Sequence, residues 1–561
     1  MLLDAPVRNT AAEDSSITSP STTRNLLKMR CRALLLLLPS ALAFELPFKV
    51  PNLFSRSPAP AQTEVHSSAA STPRIAVIGA GAAGSSAAFW ISKAQDRFGL
   101  DVQVDVYEKS DYVGGRSTVV YPYGNTSLPE LELGGSIFVT ANKNLWRASD
   151  EFGLGRRDFS DEDESTGIWD GQEMLLSFSG SWWDTAKLLW RYGFLSPRRT
   201  ENFVRALVDK YLTLYNSDSP KWDSVADLSA TFGWTDFVNK TALEHLRTEG
   251  VSDKYINEVV DAATRVNYGQ DVDYIHALEG ALSMAANGAV GIAGGNFQIF
   301  EKFLNHSRAN VYLKTPVVSI AEKSSSSHLW SVKSSSGTRD YRAVILAAPF
   351  HQTGIAFPPA VAEKVPPLPY LHLHVTLLAT TAPYLNATYF GLPEGTPIPR
   401  MLLTSGQAAR VGGKKPEFNS ISYHGLIRDG EWAVKIFSDH ALTDEWLAEM
   451  FQGQVGWVLR KEWDAYPKVP PTSTFPPVKL DRGLYYVNAF EPFISTMETE
   501  TVASRNVVDL MLSDEFNSGI CGRTISAVET DASEDGAQKP LVAPARQETT
   551  NPDNFVLGWD C

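Results

Sequence analysis

The run Gly79-Ala-Gly81-Ala-Ala-Gly84 constrains this chain more than any other feature. It follows Arg74-Ile-Ala-Val-Ile78, a short apolar stretch of the kind buried in a parallel sheet. It leads into the helical pattern Ser85-Ser-Ala-Ala-Phe-Trp-Ile-Ser-Lys. Each glycine has its own task. Gly79 makes the tight turn, Gly81 lets the backbone approach a pyrophosphate, and Gly84 lets helix and strand pack closely. Around Ala82 and Ala83 the helix N-terminus presents free N–H groups and the positive dipole end to phosphate. A second strand, Val102-Gln-Val-Asp-Val-Tyr107, ends in Glu108 and Lys109. Glu108 stands 24 positions after Gly84, where a ribose-binding acid is expected. Strand, loop, helix, strand and acid in register predict an α/β fold with a Rossmann-like dinucleotide-binding domain.

The next segments narrow the dinucleotide. Glu108-Lys-Ser-Asp-Tyr-Val-Gly114-Gly115-Arg116 resembles the second fingerprint of the large flavoprotein class that includes amine oxidases. In that class the paired glycines and the Arg sit beside the pyrophosphate and the flavin. Glu132-Leu-Gly134-Gly135-Ser136 resembles the segment that passes the flavin ring there. The resemblance extends to Val317, matched to a residue whose backbone contacts adenine. It ends with Gly483–Glu491, a strand closing on an acid, then Ser495-Thr496-Met497 at a helix start. A helix N-terminus there would stabilise negative charge on reduced flavin. The implied cofactor is FAD.

Composition excludes several functions. The net charge of −14 repels phosphate backbones, which argues against a nucleic-acid partner. The three cysteines, Cys31, Cys521 and Cys561, all lie outside the catalytic body. That body has no redox dithiol, no zinc-ligand cluster and no thiol to tether a flavin, so FAD is expected to be held non-covalently. Whether Cys521 and Cys561 pair is left open. His372 and His374 alternate along a strand-like run and share one face. The sequence offers them no further metal ligand, which favours a structural role.

The termini carry targeting signals. Residues 1–28 read as a polar extension that translation from Met29 would omit. Residues 29–43 read as a signal peptide, with Arg30 and Arg32, an apolar Ala33–Leu38 and an Ala41-Leu-Ala43 cleavage site. That apolar run is too short to span a bilayer. Residues 44–72 read as a linker, and 516–561 as a mostly disordered tail. Sequons at Asn125, Asn239, Asn305 and Asn386 fit a secretory glycoprotein bound for a lysosome, a vacuole or the outside.

A closer resemblance follows from the central residues. Asn257-Glu-Val-Val-Asp-Ala-Ala-Thr-Arg265-Val-Asn267-Tyr268-Gly269-Gln270 is similar to the signature stretch of the prenylcysteine oxidase (prenylcysteine lyase) family. So are Trp190-Arg-Tyr-Gly193, Gly294-Gly-Asn296, Leu371–Leu378 and Asp481–Asn488. The family implies oxidation of a prenylcysteine at the allylic carbon bearing sulfur, with O₂ as the final acceptor. Arg265 is a candidate partner for the substrate carboxylate, or else a structural ion pair. Tyr268 is a candidate to close over the flavin or to orient the water, or else a packing residue at a domain interface. Val139 stands where a histidine is expected in animal members. An FAD-dependent oxidase of an amine or a secondary metabolite is the alternative, and a non-catalytic flavin-binding module a third reading. The FAD domain is expected to be discontinuous, from 73–150, 285–350 and 478–515. The insertions 151–284, mainly helical, and 351–477 are expected to form the substrate domain.

Overall fold

Arg74–Ile78 lies inside a six-stranded sheet, flanked by Gln103–Tyr107 on one side and Ala343–Leu346 on the other, both parallel to it. The sheet continues through parallel Asn310–Tyr312 at one edge and parallel Leu484–Tyr486 at the other, where Lys479–Asp481 closes it antiparallel. Ile75, Ala76 and Val77 are fully buried, as a strand covered on both faces requires. This computed structural model describes residues 72–158, 165–179, 182–324, 328–522 and 555–561, all within one compact unit, Ala69–Cys561. The polar extension, the signal peptide and nearly all of the linker lie outside the described residues.

The helix Ala82–Phe98 packs back on the sheet because its small residues permit close approach. A Cβ on Gly84 would stand 1.9 Å from the Gly79 carbonyl oxygen, so that contact admits glycine alone. Gly79 takes φ +109°, a conformation side chains rarely adopt. The helix Met497–Phe516 packs beside Ala82–Phe98, and Ser504 Oγ donates to the Ala83 carbonyl at 2.6 Å.

A second sheet has seven strands, in the order Val455–Pro467, Tyr370–Thr380, Glu431–Ser438, Ser420–Arg428, Met401–Thr404, Thr166–Trp169 and Met174–Phe178. It joins strands from both insertions, Met401–Thr404 running parallel to Thr166–Trp169. Helices between Trp182 and Leu282 make up most of the described first insertion, which also contains the short strand Arg156–Asp158. No described helix is long and apolar enough to cross a membrane.

The segment that carries Val317 holds two strands. Lys314 turns with φ +51° and Pro316 follows, so Asn310–Tyr312 stays in the parallel sheet while Val317–Ser324 starts a three-stranded antiparallel one. The strand before Glu491 ends at Tyr486, and a single 3-10 turn, Val487–Phe490, carries the chain to the acid. Of the tail, residues 523–554 lie outside the described residues, and the two described ends are joined. Cys521 is bonded to Cys561, and Trp559, 8% exposed, packs among Phe89, Trp90 and Phe303. Its indole N–H donates to Asn144 Oδ1 at 3.2 Å, and Arg97 Nη2 donates to its carbonyl at 2.7 Å. A buried tryptophan and a covalent tether hold the described C-terminal residues 555–561.

Candidate active site

One cavity of about 850 Å³ runs from the glycine-rich turn to the seven-stranded sheet. Its size suits a large organic ligand. At its first end lie Gly79, Gly81, Ala82 and Ala83, with Gly84 packed behind them. A Cβ on Gly81 would meet no protein atom closer than 3.7 Å, so that glycine keeps space open on the cavity side. The first intrahelical bond is Ser85 N–H to the Gly81 carbonyl, at 3.0 Å. The N–H groups of Ala82, Ala83 and Gly84 precede it and supply an anion-binding helix end.

Glu108 also lines this end and is 8% exposed. Its Oε2 accepts from Ala80 N at 2.9 Å and its Oε1 from Ser110 N at 2.8 Å. Both oxygens keep a second lone pair. Lys109, Thr315 and Val317 complete the wall.

At mid-cavity Arg116 pairs with Glu491, which also accepts the Tyr370 hydroxyl proton. Burial lowers the affinity of Arg116 for its proton, but Glu491 more than restores it, so the guanidinium stays charged. Gly115, Gly135 and Ser136 pass beside this pair. Asn296 braces the loop: its Nδ2 donates to the Gly135 carbonyl at 3.0 Å and its N–H to Glu132 at 2.7 Å. That gives the Gly294-Gly295-Asn296 step a structural reason. The helix Met497–Phe516 starts at the cavity, capped by Thr496, whose Oγ1 accepts from Thr499 N at 3.0 Å. Met497 packs on Gly135. Glu500 lines the cavity at 4% exposure, and neither of its oxygens has a hydrogen-bond partner in the protein. Burial and neighbouring Glu491 push its pKa well up, leaving a neutral carboxyl that can donate to a ligand.

The far end was not foreseen. Ser420, Ser422, His424, Lys435 and Phe437 face the cavity from adjacent strands of the seven-stranded sheet. Lys435 is 6% exposed, and its Nζ donates to Ser136 Oγ at 2.9 Å. Burial lowers its pKa to about 8 despite nearby Glu132, whose own pKa burial raises to about 7. Burial and Lys435 depress His424 to about 3, so it is neutral. The cavity also has an apolar lining that includes Phe138, Val139, Leu145, Val208, Val266 and Leu282.

The two candidate substrate residues part company. Tyr268 lines the cavity, its ring centred 5.8 Å from that of Tyr466. Burial and neighbouring Glu279, a fully buried carboxyl that accepts from Ser495 N at 3.0 Å, push the Tyr268 pKa well up. Arg265 does not reach the cavity. It is 2% exposed, bonded to Asp271 at 2.5 Å, Thr404 at 3.1 Å and Asn419 at 2.9 Å. Its charge is consumed by an acid six residues along its own chain, so the structural alternative holds and the carboxylate-binding role does not.

A glycine-lined helix end, a buried acid after the second strand and a cavity shared with a second sheet define a dinucleotide-binding oxidoreductase. Comparison with known proteins agrees. A family described as prenylcysteine lyase matches residues 177–519, and a NAD(P)-binding Rossmann-like domain matches 77–152. Farnesylcysteine lyase of Arabidopsis thaliana is 31% identical over 459 residues, spanning 78% of this chain and 88% of that one. Prenylcysteine oxidase 1 of Homo sapiens is 30% identical, spanning 77% and 87%. Among solved structures, a putrescine oxidase variant superposes with a TM-score of 0.54 at 15% identity, covering 78% of this chain and 99% of that one. A conjugated-linoleic-acid-producing fatty acid isomerase from P. acnes gives 0.54 at 14%, covering 79% and 99%. These last two similarities speak to the fold. The chain belongs to the prenylcysteine lyase family.

Proposed function

We propose that this protein is an FAD-dependent oxidase that cleaves the thioether of prenylcysteines. The observation that carries the reading is the single cavity joining a dinucleotide cradle to a buried cation and an apolar lining. Family membership supports it, as do the names of the relatives, farnesylcysteine lyase and prenylcysteine oxidase 1.

The residues fit FAD. The N–H groups at Ala82 and Ala83 would receive its pyrophosphate, for which Gly81 leaves room. Glu108 would accept from the ribose hydroxyls, and Val317 would border the adenine. Arg116, Gly115, Gly135 and Ser136 would flank the ring end, where the Thr496–Met497 helix start would favour negative charge. No cysteine lines the cavity, which supports non-covalent binding. Acid precipitation that leaves flavin in the pellet would contradict it.

When bound, FAD supplies the hydride acceptor for the allylic carbon attached to sulfur. Lys435 pairs with the substrate carboxylate in place of Arg265. Phe138, Leu145, Val208, Val266 and Leu282 take the prenyl chain, and together these contacts fix the carbon's position. Tyr268, kept protonated by burial and Glu279, orients the water that adds to the oxidised carbon. Thioether, water and O₂ then balance as cysteine, prenyl aldehyde and H₂O₂.

The same reading makes the chain a secretory-pathway glycoprotein with a lysosomal, vacuolar or extracellular destination. The Cys521–Cys561 bond and the exposed Asn125, Asn239 and Asn305 support this. Asn386 is weaker, because its Nδ2 donates to the Glu449 carbonyl at 3.1 Å. A glycosidase digestion that leaves the mobility of eukaryotic material unchanged would contradict it.

Assaying H₂O₂ release from farnesylcysteine, geranylgeranylcysteine and a panel of amines tests the substrate class. Turnover of amines alone would favour the amine-oxidase alternative.

A further inference from the structure

His372 and His374 gain in three dimensions the partner that the sequence did not show. They lie on Tyr370–Thr380, and the antiparallel strand Val455–Pro467 sets Asp464 opposite His372 and Glu462 opposite His374. Directly opposed residues bring their Cβ atoms to about 4.5–5.5 Å. One ligand atom from each of His372, His374 and Glu462 falls within 4.8 Å of the other two. His372 Nε2 is 3.2 Å from Glu462 Oε2, and His374 Nδ1 is 3.8 Å from the same oxygen. A tetrahedral centre with bonds of about 2.0–2.1 Å spaces its ligand atoms by roughly 3.3 Å. The side chain of His372 is 55% exposed and that of Glu462 64%, so turning them closes the remaining gap without backbone movement.

A further contact separates this arrangement from a chance surface cluster. His372 Nδ1 lies 3.2 Å from Asp464 Oδ1. Asp464 thereby favours the proton on Nδ1 and turns the Nε2 lone pair toward Glu462. A carboxylate behind a ligating imidazole is the usual second-sphere support of a metal-bound histidine. Two imidazoles and one carboxylate suit zinc and its neighbours over magnesium or calcium.

We propose that His372, His374 and Glu462 bind a divalent transition-metal ion of the zinc class, with Asp464 orienting His372. The three protein ligands leave a position for water, and exposure makes the ion exchangeable. The site lies beside the main cavity, which Asp464 and Tyr370, two residues before His372, both line. The ion therefore clips together two strands that shape the pocket. It is independent of the reaction proposed above.

The test is calorimetric titration of the full-length flavin-loaded protein with ZnCl₂ in a non-chelating buffer. The parent, His374→Ala, Asp464→Asn and the surface control His306→Ala are compared, with flavin content and circular dichroism verifying the fold. The parent and His306→Ala are expected to bind one equivalent alike. His374→Ala should lose that isotherm, and Asp464→Asn should weaken it about 10- to 100-fold. A parent that takes up no zinc at millimolar concentration, or a His374→Ala variant that binds like the parent, overturns the proposal. The first result would leave His372 as a plain ion-pair partner of the two acids.

Discussion

Glu108 holds the backbone of the glycine-rich turn: its Oε2 accepts the Ala80 N–H at 2.9 Å while its Oε1 accepts the Ser110 N–H at 2.8 Å. The acid that ends the second strand thus fixes the turn that ends the first. One side chain ties together the two loops that cradle the cofactor, and its remaining lone pairs face the cavity.

Removing that carboxylate deletes charge-assisted bonds worth about 1.5–3 kcal/mol, which is about 10- to 150-fold in FAD affinity. Glu108→Ala should purify partly as apoprotein, and excess FAD should restore most of its turnover. Titrating both apoproteins with FAD checks this. Equal dissociation constants would remove Glu108 from the cofactor site.

Lys435 carries the substrate carboxylate in this account. Lys435→Met should raise KM for farnesylcysteine about 10-fold or more, the scale of a lost bond to a charged group, with kcat changed less. A prenyl thioether lacking the carboxylate should not distinguish the two enzymes. The pH dependence follows from the depressed pKa: the cation is present below about 8 and lost above it, so KM should rise on the alkaline side. A flat KM profile for the parent across that range would count against the assignment.

Arg265 is expected to matter for stability. Removing the buried guanidinium strips buried Thr404 and Asn419 of a donor and costs about 1–3 kcal/mol, the half-exposed Asp271 being left to water. Arg265→Ala should melt at lower temperature and yield less protein, while whatever folds keeps the parent KM. A normal melting temperature with a raised KM would reinstate Arg265 as a substrate residue.

Glu279 provides a pH test of the Tyr268 network. Burial raises its pKa to about 8, against the bonds from Ser495 and Tyr268 that lower it. The folded protein then holds a proton that the unfolded chain releases above the ordinary glutamate value of about 4.3. Stability from this group is complete below that value and declines as pH rises toward 8. Glu279→Gln should flatten the fall of Tm between about pH 5 and pH 8. Parallel Tm profiles for parent and variant would refute the raised pKa.

The cradle was legible because its determinants are local. Gly79, Gly81, Gly84 and Glu108 act through turn geometry and strand length, which a contiguous run records. The opposite wall was not, because its determinants are cross-strand. Lys435 sits in Glu431–Ser438, an apolar run in which one lysine does not by itself mark a site, and only its register against Ser420–Arg428 sets that lysine opposite Ser422. Arg265 drew attention by lying in the family's signature run, but its partner Asp271 lies one residue past the end of that run. His372 and His374 were visible as a pair, whereas Glu462 and Asp464 join them through strand pairing alone. At the C-terminus, polar composition masked Trp559, a single residue with a prepared slot among Phe89, Trp90 and Phe303.

The central claim is that this cavity oxidises the carbon bearing sulfur in a prenylcysteine. Mixing the purified flavin-loaded protein with farnesylcysteine under anaerobic conditions addresses it most directly. The account predicts bleaching of the visible flavin band with release of one cysteine and one farnesal per flavin, then recovery of the band and formation of H₂O₂ when O₂ is admitted. A band unchanged by farnesylcysteine and geranylgeranylcysteine alike, in protein that retains its flavin, would contradict it.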